Sequence, residues 1–145
     1  MRVVFLDVDG VLNQQASAGT EGNYALDRRC VEGLNRIVAA THCIVVISSL
    51  WRRYLPLWHI HSLMVEHGYL YGVHDRTQVH WRQDRGKDVE DYLSMCADAG
   101  IEVGSFVAID DTPMSIDEKR MVMTDTSKGL TSGDVERAIA ILRGE

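Results

Sequence analysis

Two aspartates separated by one residue, Asp7 and Asp9, follow directly on the apolar run Val3-Val4-Phe5-Leu6, and Gly10 comes next. In an extended chain residues i and i+2 point to the same side, so both carboxylates can converge on one small volume while Gly10 lets the chain turn away. Two carboxylates that close repel each other unless a proton or a cation sits between them. A hard divalent cation such as Mg²⁺ suits the pair, because it takes one or two carboxylates and keeps several waters. A lone aspartate pair at a strand end also makes an ordinary turn or helix cap, so the later stretches have to decide. They supply Ser48-Ser49 after an apolar run, Arg85 and Lys87 before a helical segment, and Asp110-Asp111 after another apolar run. Carboxylates, a hydroxyl and a cation are the parts that metal-assisted phosphoryl transfer requires. A carboxylate can attack phosphorus and form an aspartyl-phosphate. A second, protonated carboxyl can protonate the leaving oxygen, and cation and hydroxyl stabilise charge on the group in transfer.

The elements that must bring these groups together are readable as alternating strands and helices. Short apolar runs at residues 3–6, 43–47 and 105–109 read as strands buried on both faces. Residues 69–73 are expected as a short third strand and 121–123 as a final one. Asp27 reads as the N-cap of a helix carrying Val31, Leu34, Ile37 and Val38 at helical spacing. Residues 50–67 read as helical with a broad apolar face, irregular near Pro56 and stopped by His67-Gly68. Residues 75–84 read as a polar connection, and 86–99 as a helix with Val89, Tyr92, Leu93 and Cys96 on one side, ended by Gly100. Thr131-Ser132-Gly133-Asp134 starts the last helix, whose Val135, Ala138, Ile139 and Leu142 face the sheet. The small, polar residues 13–23 form a loop long enough for an active-site flap, with Tyr24 anchoring its end. The alternation argues an α/β fold with a parallel sheet and helices on both faces. Such a sheet gathers every strand's C-terminal end at one edge, so residues about 100 apart in sequence can meet there.

Bulk properties narrow the function. The 145 residues suit one domain spanning 1–145. A net charge of −6 argues against general affinity for nucleic acid or anionic membrane. Three widely spaced cysteines without a CxxC indicate neither a disulfide framework nor a zinc site, and reduced, mostly buried thiols fit a cytoplasmic protein. There is no signal-peptide pattern and no apolar run of the roughly 18 residues that would suggest a membrane span.

The stretches FLDVDGVLN, VVISSLWR, RGKDVEDYL and FVAIDDTP resemble, in order, the four motifs of the haloacid-dehalogenase (HAD) superfamily. SSLWR and the tail SKGLTSGDVERAIAIL are most similar to small HAD domains described from Swiss Army Knife RNA repair proteins. The resemblance implies a three-layer Rossmannoid fold around a central parallel sheet, without a large cap domain. It implies a Mg²⁺-dependent phosphatase in which Asp7 is the nucleophile and a metal ligand. Asp9 would be the general acid/base and bind metal through its backbone carbonyl, Asp110 the acidic ligand, and Asp111 its support. Ser48 would hold the phosphoryl group, with Ser49 the alternative one position on. Lys87 has the residue type expected of the third motif's cation, whereas Arg85 has the better spacing to the helix. Ser49, Arg85, Gly10 and Arg52 are the residues expected on the substrate side.

A site without a cap suits a bulky phosphate ester such as a nucleic-acid end or a phosphoprotein. From Arg52 to Lys87 six Lys/Arg face three Asp/Glu, a local balance of +3, and Arg52, Arg53, Arg76 and Arg82 with Trp51 and Trp81 could contact a phosphodiester backbone and stack bases. The plainer reading places the tryptophans in the core and the arginines in solvent, and the overall charge favours it. His59, His61, His67, His74 and His80 match no common zinc spacing and read as scattered. The rival to an enzyme is a regulatory module that keeps the acidic pocket without turnover. A receiver domain would need its phosphorylated Asp after the third strand, where only Asp75 stands.

Overall fold

The computed structural model describes residues 1–15, 22–78 and 84–145. Among these residues five strands and four α-helices follow in the order β1 (Arg2–Leu6), α1 (Arg28–Thr41), β2 (Ile44–Ile47), α2 (Leu57–Glu66), β3 (Asp75–Arg76), α3 (Arg85–Asp98), β4 (Ser105–Asp110), β5 (Met121–Met123) and α4 (Ser132–Arg143), with only a 3₁₀ turn between β4 and β5. All pairings are parallel, in the order β3-β2-β1-β4-β5. β1 is therefore the central strand, which is why its side chains after the first residue are buried whichever way they point.

Alternation along β1 divides the core in two. Val4 and Leu6 join a cluster with Val31, Leu34 and Ile37 of α1, Ile60 and Met64 of α2, and Val135, Ala138 and Leu142 of α4. Val3 and Phe5 join Val89, Tyr92 and Cys96 of α3 on the opposite face. The result is a three-layer α/β arrangement of Rossmann type with no large cap. None of the helices among the described residues is long and apolar enough to cross a membrane. Cys30, Cys43 and Cys96 are free and buried.

Local signals set most boundaries. The Asp27 side chain accepts a hydrogen bond from the Arg29 N–H and caps α1. Thr131 and Asp134 form a reciprocal capping box at α4. Pro56 splits residues 50–67 into a 3₁₀ turn (Leu50–Arg53) and α2, standing as the N-cap of the latter. Tyr24 packs edge-on against Trp51, ring centroids 5.0 Å apart, at the end of the loop whose residues 16–21 lie outside the described part.

The third strand is a correction. Residues 69–73 form no strand: Tyr69 is buried, but Leu70 and Tyr71 are exposed. The strand is instead the polar pair Asp75–Arg76, inside the stretch expected as a connection. An edge strand is selected by the backbone groups β2 leaves open, with which it pairs through Val46↔Asp75 and Ile47↔Arg76, and a two-residue element has no room for an apolar pattern.

Candidate active site

The strand register builds the site. Leu6 pairs with Ile47 on one side and with Ile109 on the other. The ladders run one residue further, through Asp7 N–H to Ile109 C=O (3.0 Å) and Ser48 N–H to Leu6 C=O (2.9 Å). Ser48, Asp7 and Asp110 therefore stand side by side at the C-terminal rim, all on the α3 face, since each follows by two residues a side chain of that face.

Asp7, Asp110 and Asp111 each offer a carboxylate oxygen, all within 4.8 Å of one another. Asp7 is 3% exposed and Asp110 fully buried. Burial, reinforced by the neighbouring Asp110 charge, holds the Asp7 carboxyl well above the usual range, against the opposing pull of Arg85. Burial likewise pushes Asp110 up to about 6. Asp111 is fixed by hydroxyls, Thr126 donating to Oδ2 (2.8 Å) and Thr112 to Oδ1 (3.2 Å). Asp110 accepts the Thr112 N–H through Oδ1, while its buried Oδ2 has no hydrogen-bond partner among the described residues. An oxygen-only, crowded, acidic cradle with an orphaned carboxylate oxygen fits Mg²⁺ in donor type and charge.

The cation at this cradle is Arg85, not Lys87. Arg85 opens α3, whose N-cap Asp84 accepts from the Gly86 N–H and also from Ser115 N–H in the loop after β4. Its guanidinium reaches Asp7 Oδ1 and Asp110 Oδ1, each at 3.1 Å. Burial works against that charge, yet Asp7, Asp110 and Asp111 outweigh it and hold the guanidinium more firmly protonated than usual. Lys87, favoured by residue type, lies 56% exposed and paired with Asp91 at 2.9 Å. Two residues along a helix rotate a side chain by about 200°, which turns Lys87 away from whatever Arg85 faces.

The serines separate just as cleanly. Ser49 uses its hydroxyl to accept from Trp51 N–H and cap the 3₁₀ turn. Ser48 is fully buried, and its Oγ has no hydrogen-bond partner among the described residues. Asp9 stands outside the three-acid group, its Oδ1 accepting from Asn13 Nδ2 at 3.0 Å, while Asn13 Oδ1 accepts from Gly10 N–H. Gly10 is required for packing: it has φ of 76°, and a Cβ there would lie 2.1 Å from Asp111 Oδ2.

Arg52, expected on the substrate side, is turned into the protein. It is 5% exposed, donates to the carbonyls of Ser48 (2.5 Å) and Ser49 (2.7 Å), and pairs with Asp88 at 2.9 Å. Trp51 is 1% exposed and belongs to the core, and Arg76 donates to the Arg52 carbonyl. His80, Trp81 and Arg82 lie outside the described residues. Among those described, His61 and His67 donate locally, to Tyr71 C=O and Leu63 C=O. Asn13 and Asp88 escaped the reading from residue types. A turn-forming Asn four residues after Asp9, and an acid three residues after Arg85 on the same helix face, were the signals available.

Comparison with curated proteins and with solved structures gave no match. The family model described as the HAD domain in Swiss Army Knife RNA repair proteins matches residues 3–135. That span runs from β1 into α4 and takes in every residue of the rim just described, so the chain belongs to this family of HAD domains.

Proposed function

We propose that the protein is a Mg²⁺-dependent phosphomonoesterase working through an aspartyl-phosphate on Asp7. The observation that carries this reading is the row Ser48–Asp7–Asp110 on adjacent strands, with Arg85 bridging its two carboxylates. Asp7 attacks phosphorus, the ester P–O bond breaks, and Asp9, held by Asn13, gives its proton to the leaving oxygen. Water then attacks phosphorus of the acyl phosphate on Asp7, Asp9 takes a proton from that water, the P–O bond to Asp7 breaks, and phosphate leaves with the Asp7 carboxylate regenerated. Ser48 and Arg85 hold the non-bridging oxygens throughout, the first by its hydroxyl, which has no partner among the described residues, and the second by its forked donors. Asp7, Asp110 and Asp111 would hold Mg²⁺, which when bound supplies charge neutralisation for phosphoryl oxygens and nucleophile.

A site without a large cap suits a bulky ester. With Trp51 in the core and Arg52 tied to Asp88, the described residues do not favour a nucleic-acid end over other phosphate esters. The test is turnover of an aryl phosphate with and without Mg²⁺, alongside Asp7→Asn. Wild-type turnover that needs Mg²⁺ and vanishes in the variant supports the reading. A pure sample inert towards a broad phosphate panel, or an Asp7→Asn variant of unchanged activity, would favour a non-catalytic module.

A further inference from the structure

The rim row does not end at Ser48. β3 pairs with β2 through Ile47↔Arg76, and the ladder continues through Thr77 N–H to Ile47 C=O at 2.9 Å. Thr77 is therefore the neighbour of Ser48, as Ser48 is of Asp7. Its side falls on the α3 face by alternation: Asp75, two residues earlier, accepts from the Tyr92 hydroxyl of α3 at 3.0 Å. Thr77 is 1% exposed, and its Oγ1 has no hydrogen-bond partner among the described residues. Ser48 Oγ and Asp110 Oδ2, in the same row, share that condition. Buried hydroxyls are ordinarily satisfied, and three orphaned oxygens in one row point to a polar group that belongs beside them.

The β2 and β3 ends of the row are locked together. Arg52 donates to the Ser48 and Ser49 carbonyls on one strand end and to the Gln78 carbonyl on the other. Neighbouring strands lie about 4.8 Å apart, so Thr77 stands about 10 Å from Asp7 along the row. That is too far to touch a phosphoryl group held between Asp7 and Ser48, and within hydrogen-bond reach of the part of the substrate next to it. Arg52, which donates to the Gln78 carbonyl next to Thr77, is already paired with Asp88, so an uncharged polar group suits the Thr77 hydroxyl.

We propose that Thr77 is a specificity residue whose hydroxyl bonds a substrate hydroxyl on the carbon next to the phosphate ester, which makes polyol phosphates the favoured class. The proposal rests on the phosphatase reading above. Its test compares glycerol 1-phosphate with propyl phosphate, which lacks the neighbouring hydroxyl, in the wild type, Thr77→Val and Thr77→Ser. Thr77→Val should lose about tenfold in kcat/KM on glycerol 1-phosphate and less than twofold on propyl phosphate. Thr77→Ser should retain the wild-type preference. Equal losses on both substrates, or no loss on either, would overturn the proposal, as would a wild type that turns over both esters equally well. A wild type inert on both but active on the aryl phosphate with Mg²⁺ overturns this assignment alone, whereas a wild type inert on these and on the broad phosphate panel overturns the phosphatase reading and this assignment with it.

Discussion

The Arg52 guanidinium lies 2.9 Å from the Asp88 carboxylate, with both side chains 2% exposed. The pair ties the backbone of Ser48 and Ser49 to the first turn of α3, the turn that carries Arg85. Breaking a buried pair from one side leaves the other charge uncompensated, at about 3–5 kcal/mol. Arg52→Ala and Asp88→Asn should each destabilise the protein by that order in urea melts. The double replacement Arg52→Met/Asp88→Leu should recover part of the loss, the remainder being the Ser48 and Ser49 carbonyls that Arg52 no longer meets. Additive losses in the double variant would show that the two residues act separately.

Arg85 and Lys87 are two residues apart and should behave oppositely. Arg85→Ala removes the only described cation that reaches both Asp7 and Asp110 and should cost about 10²–10³ in kcat. Arg85→Lys should restore part of it, since an ammonium supplies the charge without the fork. Lys87→Ala deletes a surface pair with Asp91 and should leave kcat within twofold. Steady-state kinetics on one aryl phosphate decides the matter, and a larger effect at Lys87 than at Arg85 would refute the assignment.

Gly10 and Gly100 share a left-handed backbone, with φ of 76° and 75°, and differ in what surrounds them. A Cβ at Gly100 meets nothing within 4 Å, whereas one at Gly10 meets Asp111. Gly100→Ala should therefore cost only backbone strain, about 1 kcal/mol, and leave Mg²⁺ affinity unchanged. Gly10→Ala should cost more and also weaken Mg²⁺ binding by displacing Asp111. Calorimetric titration of both variants with Mg²⁺ checks the contrast.

The acidic cradle gives the metal-free protein a specific pH response. Asp7 and Asp110 are both raised, chiefly by burial, Asp110 to about 6. Between about pH 4, the usual carboxylate pKa, and about pH 6 the folded chain therefore holds more protons than the unfolded one. Their contribution to stability is thus favourable at low pH and is lost as the pH rises through that window. Asp110→Asn should accordingly be more stable than the wild type above pH 6 without metal, and lose that advantage below about pH 4. Mg²⁺ should raise the wild-type melting temperature at pH 7 in a concentration-dependent manner and should do so far less in the variant. Thermal melts across this range, with chelator and with Mg²⁺, provide the measurement. A wild-type/variant difference that is flat across pH would refute it.

Much of this was legible in the chain because the signals are local. The apolar runs before Asp7, Ser48 and Asp110 announce strands buried on both faces, and Asp27, Pro56 and the Thr131–Asp134 box mark helix starts by hydrogen bonds made within a few residues. The third strand was not legible, because Asp75–Arg76 is chosen by its partner β2 rather than by its own side chains. Ser48 against Ser49 and Arg85 against Lys87 were also open in the sequence. In each pair the residue types nearly match, and only direction in space differs.

The sequence by itself determined which elements form, in what order, and that acids, hydroxyls and cations stand at strand ends, because periodicity and capping act over a few residues. Only the tertiary structure decided which of those side chains share a volume. Parallel register sets Ser48, Asp7 and Asp110 in one row, the rotation of α3 turns Arg85 inward and Lys87 outward, and Asp88 holds Arg52 in the interior. Distances between residues far apart in the chain are set by packing, and no local pattern encodes them.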